Sequence, residues 1–163
     1  MSGEIRNLIA DSMIGPKTAS NGIDFVPERF GWMHASGTAV NTTGTNYIDR
    51  KSGPVLTAGR SYSVSAQIDG SYDDISHILF HLYYSNADGI KLFDSINFIS
   101  KPSLTFTVPD AYDGCTLHVW GPRIASGATV DVRGRLMLVE GATPAAWAPA
   151  DGETLSGGGA QMS

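Results

Sequence analysis

Histidine supplies metal ligands and proton carriers, so the four in this sequence are the first residues to test for chemistry. His77 and His81 stand four apart in HILFHLYY, on one face of an alternating segment. At the ~3.3 Å rise per strand residue they lie about 13 Å apart, too far to share one ion, and no His/Cys set completes a site. Acidic residues gather in DGSYDD, with Asp69, Asp73 and Asp74, and in the Asn86 to Asp88 turn. These oxygens offer a place for a structural calcium, but the EF-hand spacing is missing, and Asp is common in turns for its own hydrogen bonding. Glycoside hydrolysis needs two carboxylates roughly 5–9 Å apart in a cleft, a pairing that spacing along the chain does not establish. With no GxSxG elbow, phosphate-cradling glycine loop or CxxC, the expectation is a protein that is not an enzyme and holds no resident cofactor or metal.

Flat rings are the other chemistry on offer. Trp32, Tyr83 and Trp120 are candidates for stacking against the faces of a sugar, set against the plainer role of covering a core edge or a neighbouring subunit. Trp147 stands in ATPAAWAPADGE between Pro144 and Pro149, a stretch otherwise too small-sided to hold itself down. It reads as a structural anchor that pins the exit of the last strand onto the body.

The elements that would position these residues are strands. LTAGRSYSVSAQIDG sets Tyr62, Val64, Ala66 and Ile68 on one face and Ser61, Ser63, Ser65 and Gln67 on the other. HILFHLYY sets Ile78, Phe80, Leu82 and Tyr84 against His77, Leu79, His81 and Tyr83. SLTFTVP sets Leu104, Phe106 and Val108 against Ser103, Thr105 and Thr107. Further strands are expected over Cys115 to Trp120, Ala128 to Val132 and Arg135 to Val139. Weaker ones are expected over Ile23 to Val26, Trp32 to Val40 and Thr45 to Ile48, the last two connected across Asn41 to Gly44. Much of Thr18 to Gly31, broken by Asn21-Gly22, Pro27 and Gly31, reads as loop.

Nineteen glycines and a charged share of 17% in 163 residues, with few helix formers, agree with that reading. The pattern predicts one all-β domain, a two-sheet β-sandwich of jelly-roll type. Its expected core is Tyr62, Val64, Ile68, Ile78, Phe80, Leu82, Leu104, Phe106, Val108, Leu117, Val119, Leu136 and Leu138. Residues 1–16 form an N-terminal arm or first edge strand, 17–153 the sandwich, and 154–163 a glycine-rich tail. Cys115, the single cysteine, reads as a small buried thiol. A net charge of −5 with no basic block excludes an electrostatic footprint for nucleic acid. The apolar runs are far shorter than the roughly 20 residues of a membrane helix, and no secretory signal stands out.

Three segments carry a resemblance: RNLIADS at the start, LTAGRSYSVSAQIDG in the middle, and VDVRGRLMLVEGATPAAWAPADGE at the end. Together they are similar to the carbohydrate-binding-module-like, galactose-binding-like jelly rolls of tailed-bacteriophage virion proteins. The middle match rests on Leu56, Gly59, Arg60, Tyr62, Val64 and Ala66. The closing match rests on Leu136, Leu138, Glu140, Gly141, Thr143, Trp147 and Pro149. The resemblance implies a jelly roll on a virion surface, assembled in the host cytoplasm, and carries over no catalytic residue. Two functions are expected from it. One is a virion structural protein, a capsid-decoration or minor tail protein, whose partners are a major capsid or tail protein and copies of itself. The other is a carbohydrate-binding module that attaches the particle to host glycans.

Overall fold

The computed structural model describes residues 5–72, 78–86, 89–97 and 100–150, with backbone alone for 78, 85–86 and 89–97. His77, Asp73, Asp74, Asp88 and the 154–163 tail lie outside the described residues, as does the side chain of Ile78. Ten strands follow in chain order: β1 (Thr18–Ser20), β2 (Ile23–Pro27), β3 (Met33–Thr38), β4 (Asn46–Ile48), β5 (Ser61–Tyr72), β6 (Ile78–Asn86), β7 (Gly89–Asn97), β8 (Ser103–Thr107), β9 (Thr116–Ile124) and β10 (Thr129–Glu140). All named pairings are antiparallel. One sheet runs β1-β2-β3-β10-β5-β8 and the other β4-β9-β6-β7, so the chain is a two-sheet β-sandwich of jelly-roll type.

The alternating segments face as their sequence demands. Tyr62, Val64, Phe80, Leu82, Leu104, Val108, Leu117, Val119, Leu136 and Leu138 are buried between the sheets, and Ile68 and Phe106 are partly buried against them. Cys115 is buried as well. The strongest additions to this core come from segments without clean alternation. Phe25, Met33, Tyr47, Ile48 and Leu56 are fully enclosed. Tyr47 sits edge-on to Phe80 of the same sheet with ring centroids 5.1 Å apart, and its hydroxyl links the layers by donating to the Gly31 carbonyl (2.6 Å) and accepting the Leu136 N–H (3.4 Å).

Two expectations about the elements need correction, over Thr18 to Gly31 and over Ala128 to Val139. Thr18 to Pro27 is a β1–β2 hairpin rather than mostly loop, with the expected strand at Ile23 to Val26 as β2, and it is closed by Asn21 and Gly22, both at positive φ (49° and 90°). Such a two-residue turn twists in the same sense as the strands it joins. The two strands expected on either side of Asn41 to Gly44 are β3 and β4, and that connection carries the chain from the large sheet to the small one through paired Thr43–Ile124 backbone bonds. Ala128 to Val132 and Arg135 to Val139 are one strand, β10, continuous through Gly134 because β5 pairs with it from Val130 to Glu140.

Only the first half of β10 has β3 on its other side, over Thr129–Gly134. Beyond that point the N-terminal segment takes the strand's place. The Asn7 side chain donates from Nδ2 to the Leu136 carbonyl (3.0 Å) and accepts the Leu138 N–H (2.9 Å), while the Leu8 N–H reaches the Leu138 carbonyl. Asn7 is 3% exposed, so these bonds satisfy backbone groups that would otherwise be orphaned in the core. Asn7 also bridges to Ala150, which brings the two ends of the described chain side by side.

Candidate functional site

The two outer faces of the sandwich differ in what covers them. On the large sheet, residues 141–149 fold back over β5 and β10. The Ser63 hydroxyl donates to the Gly141 carbonyl and the Ser65 hydroxyl to that of Ala145 (2.8 and 2.9 Å), and the Ala148 N–H meets the Met137 sulfur. Met137 and Val139 point outward yet are buried beneath this cover.

Trp147 belongs to the same cover. Its ring and that of Trp32 clasp the Arg135 guanidinium, whose carbon lies 3.9 Å from one centroid and 4.1 Å from the other. Arg135 also donates to Gln67 Oε1 (2.8 Å) and to the Phe30 carbonyl (2.9 Å). Burial pushes this guanidinium down to about 10, which leaves it charged at neutral pH. Gly31, at φ 77°, lies where a side chain would sit 3.2 Å from the Trp147 indole nitrogen. The turn before β3 therefore has to be bare for the clasp to close. Trp32 is thereby committed to this clasp and lies apart from Tyr83 and Trp120.

Tyr83 and Trp120 come together on the outer face of the small sheet. With His81, His118 and Arg123 they line an open cleft of about 410 Å³, within the ~300–1,000 Å³ range of small-molecule sites. The central pairing β6–β9 builds it. Tyr83 opposes His118 and His81 opposes Trp120 across the ladder, with ring centroids 5.4 and 6.1 Å apart. Gly44 lies under the Trp120 indole, where a Cβ would come within 2.9 Å of the ring. The register then shifts: Leu79 pairs with Arg123, so three steps along β9 match two along β6. The extra residue is a bulge at Gly121-Pro122, and it turns Arg123 onto the same face as Trp120. The Arg123 carbon lies 5.5 Å from the Trp120 centroid.

The polar atoms of the cleft are incompletely paired. Arg123 Nη1 donates to His81 Nε2 (3.4 Å), which places the proton of that imidazole on Nδ1. His118 Nε2 donates to Asn46 Oδ1 (3.3 Å), which leaves Nδ1 as a bare acceptor. His118 Nδ1 and Arg123 Nε are shut off from water and have no hydrogen-bond partner among the described residues. Burial holds both imidazoles below the usual histidine value, assisted at His81 by the Arg123 charge, so both are neutral at pH 7. Among the described residues no three His, Cys, Asp or Glu side chains are grouped to hold a metal. Asp69, the described member of the acidic stretch, is exposed on β5.

Alternation along β6 and β9 placed Tyr83, His81, His118 and Trp120 outward. The bulge hid Arg123, which strict alternation puts on the opposite face from Trp120. The adjacent Gly121-Pro122 was its only trace in the sequence, since Gly and Pro inside a strand mark bulges.

No protein-family model and no curated protein sequence matches this chain. Solved structures do match in fold. A chain in the complex of accessory secretory proteins 1, 2 and 3 from Streptococcus pneumoniae superposes with a TM-score of 0.54 at 11% identity, covering 87% of this chain and 100% of that one. A chain of the glycosylation-associated Gap123 complex from Streptococcus agalactiae gives 0.51 at 15% identity, covering 85% of this chain and 45% of that one. This protein therefore spans less than half of the Gap123 chain. The tripod from the baseplate of bacteriophage Tuc2009 gives 0.44 at 15% identity, over 94% of this chain and 62% of that one. At these identities the first two likenesses establish a shared β-sandwich fold, and the third carries no argument.

Proposed function

We propose that this protein is a carbohydrate-binding module, with the Tyr83–Trp120 cleft as its sugar site. The observation that carries this reading is the contrast between the two outer faces. One is roofed by residues 141–149, whereas the other presents rings around an open cleft, with unpaired hydrogen-bonding atoms buried just behind them. Sugars match that combination, since a pyranose offers a C–H face to an aromatic ring and hydroxyls to polar neighbours. The module acts by binding and orienting, and needs no proton transfer or nucleophile. A glycan array probed with the native protein and with Tyr83→Ala and Trp120→Ala tests it. Native binding lost in both variants is expected, and absence of any sugar signal from the native protein overturns the reading.

A second reading, a structural protein of a tailed-phage virion, is compatible with the first and has its own support. The Asn7–Ala150 bridge sets the two ends of the described chain side by side, next to a groove of about 480 Å³ between Ile5 and residues 140–146. Ile5 and Leu8 are exposed there. Attachment to a capsid or tail protein through these ends would leave the sugar cleft on the other sheet free. The fold is shared with chains of two multi-protein complexes, one named for glycosylation and one for accessory secretion. Stoichiometric copies at lattice positions on purified particles are the expected result, and absence from particles rules this placement out.

A further inference from the structure

We infer that the sugar taken by the Tyr83–Trp120 cleft is acidic, a uronic or sialic acid whose carboxylate is received by Arg123. This rests on the carbohydrate reading and specifies its ligand. Arg123 is the cation of the cleft, and no described carboxylate pairs with it. Its single hydrogen bond goes through Nη1 to a neutral imidazole, which leaves the Nε–Nη2 edge free among the described residues. That edge is a side-on fork matched to the two oxygens of a carboxylate. An Nε–H hidden from water without an acceptor is costly, and a ligand carboxylate supplies the acceptor once the side chain turns slightly toward the cleft.

The remaining atoms fit the rest of such a sugar. His118 Nδ1 is an acceptor without a donor, which suits a ring hydroxyl rather than a second carboxylate oxygen. Trp120 and Tyr83 offer ring faces to the C–H side of the pyranose. Near His118 the Asp49 charge outweighs that of Arg50, so a ligand carboxylate is disfavoured at that end. The cleft thus has a cationic end at Arg123 and a hydroxyl-accepting end at His118, where the nearer charge effect is negative.

Arg135 argues that the free edge is specific to this site. It too lies against indole rings, but its Nε is taken by Gln67, its Nη1 by the Phe30 carbonyl, and both its faces by Trp32 and Trp147. Arg135 thus has its Nε and both ring faces engaged, whereas the Nε of Arg123 has no acceptor among the described residues.

The test is an array of oligosaccharides ending in uronic or sialic acid, each beside its methyl ester and its neutral parent. Esterification keeps the ring and removes the charge. The native protein is expected to bind the acids at least about tenfold more tightly than the esters, as a charge-assisted bidentate contact requires. Arg123→Gln should level acid and ester, whereas Arg123→Lys should keep part of the preference. Equal native binding of acid and ester, or binding to neutral sugars alone, overturns the inference and leaves the carbohydrate reading standing. No binding to any glycan overturns both. Because the decisive comparison uses the native protein, a variant that fails to fold does not blunt it.

Discussion

Two arginines of this sandwich lie against tryptophan rings, with opposite outcomes. Arg135 on β10 is clasped between Trp32 and Trp147 and hydrogen-bonded to Gln67 and Phe30. Arg123 on β9 touches one face of Trp120, bonds one imidazole, and keeps its Nε unpaired and shut off from water beside an open cleft. The same pair of residue types therefore closes into a fastening on one sheet and stays open on the other, where we propose a receptor. What separates them is cover. Residues 141–149 close over the large sheet, and no described segment does so over the cleft.

The comparison can be broken most forcefully at the fastening. Arg135→Ala removes two cation–ring contacts and leaves the Phe30 carbonyl without its donor, and should cost about 3 kcal/mol in chemical denaturation. Sugar binding by the fraction that remains folded should be unchanged. Trp120→Ala is the reciprocal case. Loss of an aromatic anchor from a binding site should weaken glycan affinity by about 2 kcal/mol in calorimetric titration, with a smaller change in the unfolding midpoint. If Trp120→Ala unfolds the protein as Arg135→Ala does, the cleft is a fastening after all.

A finer probe is Gly44→Ala. Its methyl would press on the Trp120 indole and tilt it, weakening sugar binding by about 1 kcal/mol while leaving the large sheet untouched. The smallest effect is a pH slope. His81 and His118 titrate below 6.5 in the folded protein and near 6.5 when unfolded, so unfolding takes up protons on the acid side. Stability should be level with respect to these groups above about pH 7 and fall as pH drops from 6.5 toward the folded values. Replacing both by Gln should flatten that slope in urea titrations at pH 7.5, 6.5 and 5.5, and an unchanged slope would assign it to other groups.

Much of the sandwich was legible because period-two alternation is a local property. Tyr62, Phe80, Leu104 and Leu117 could face only one way once their strands formed, and each is in the core. What local alternation left out has two causes. β7 was not signalled, since its pairing skips from Asp94 to Leu92 opposite Leu82 and Tyr83, and the inserted residue breaks the alternation. Met137 and Val139 alternate with core residues and so read as outward, which they are. Their burial comes from a segment several residues further on, which local pattern does not register.

The candidate site divides in the same way. The sequence by itself determined that Tyr83, His118 and Trp120 would stand on the outer sides of their strands, because each alternates with buried neighbours. It also placed Trp147 between two prolines after the last strand. Only the tertiary structure decided that Trp32 would join Trp147 around Arg135, and that a bulge opposite Phe80 would carry Arg123 around to Trp120. Alternation assigns a side chain to a face, but which residues meet on that face depends on register between strands distant in the chain. A single inserted residue in one of them reverses the assignment of everything beyond it.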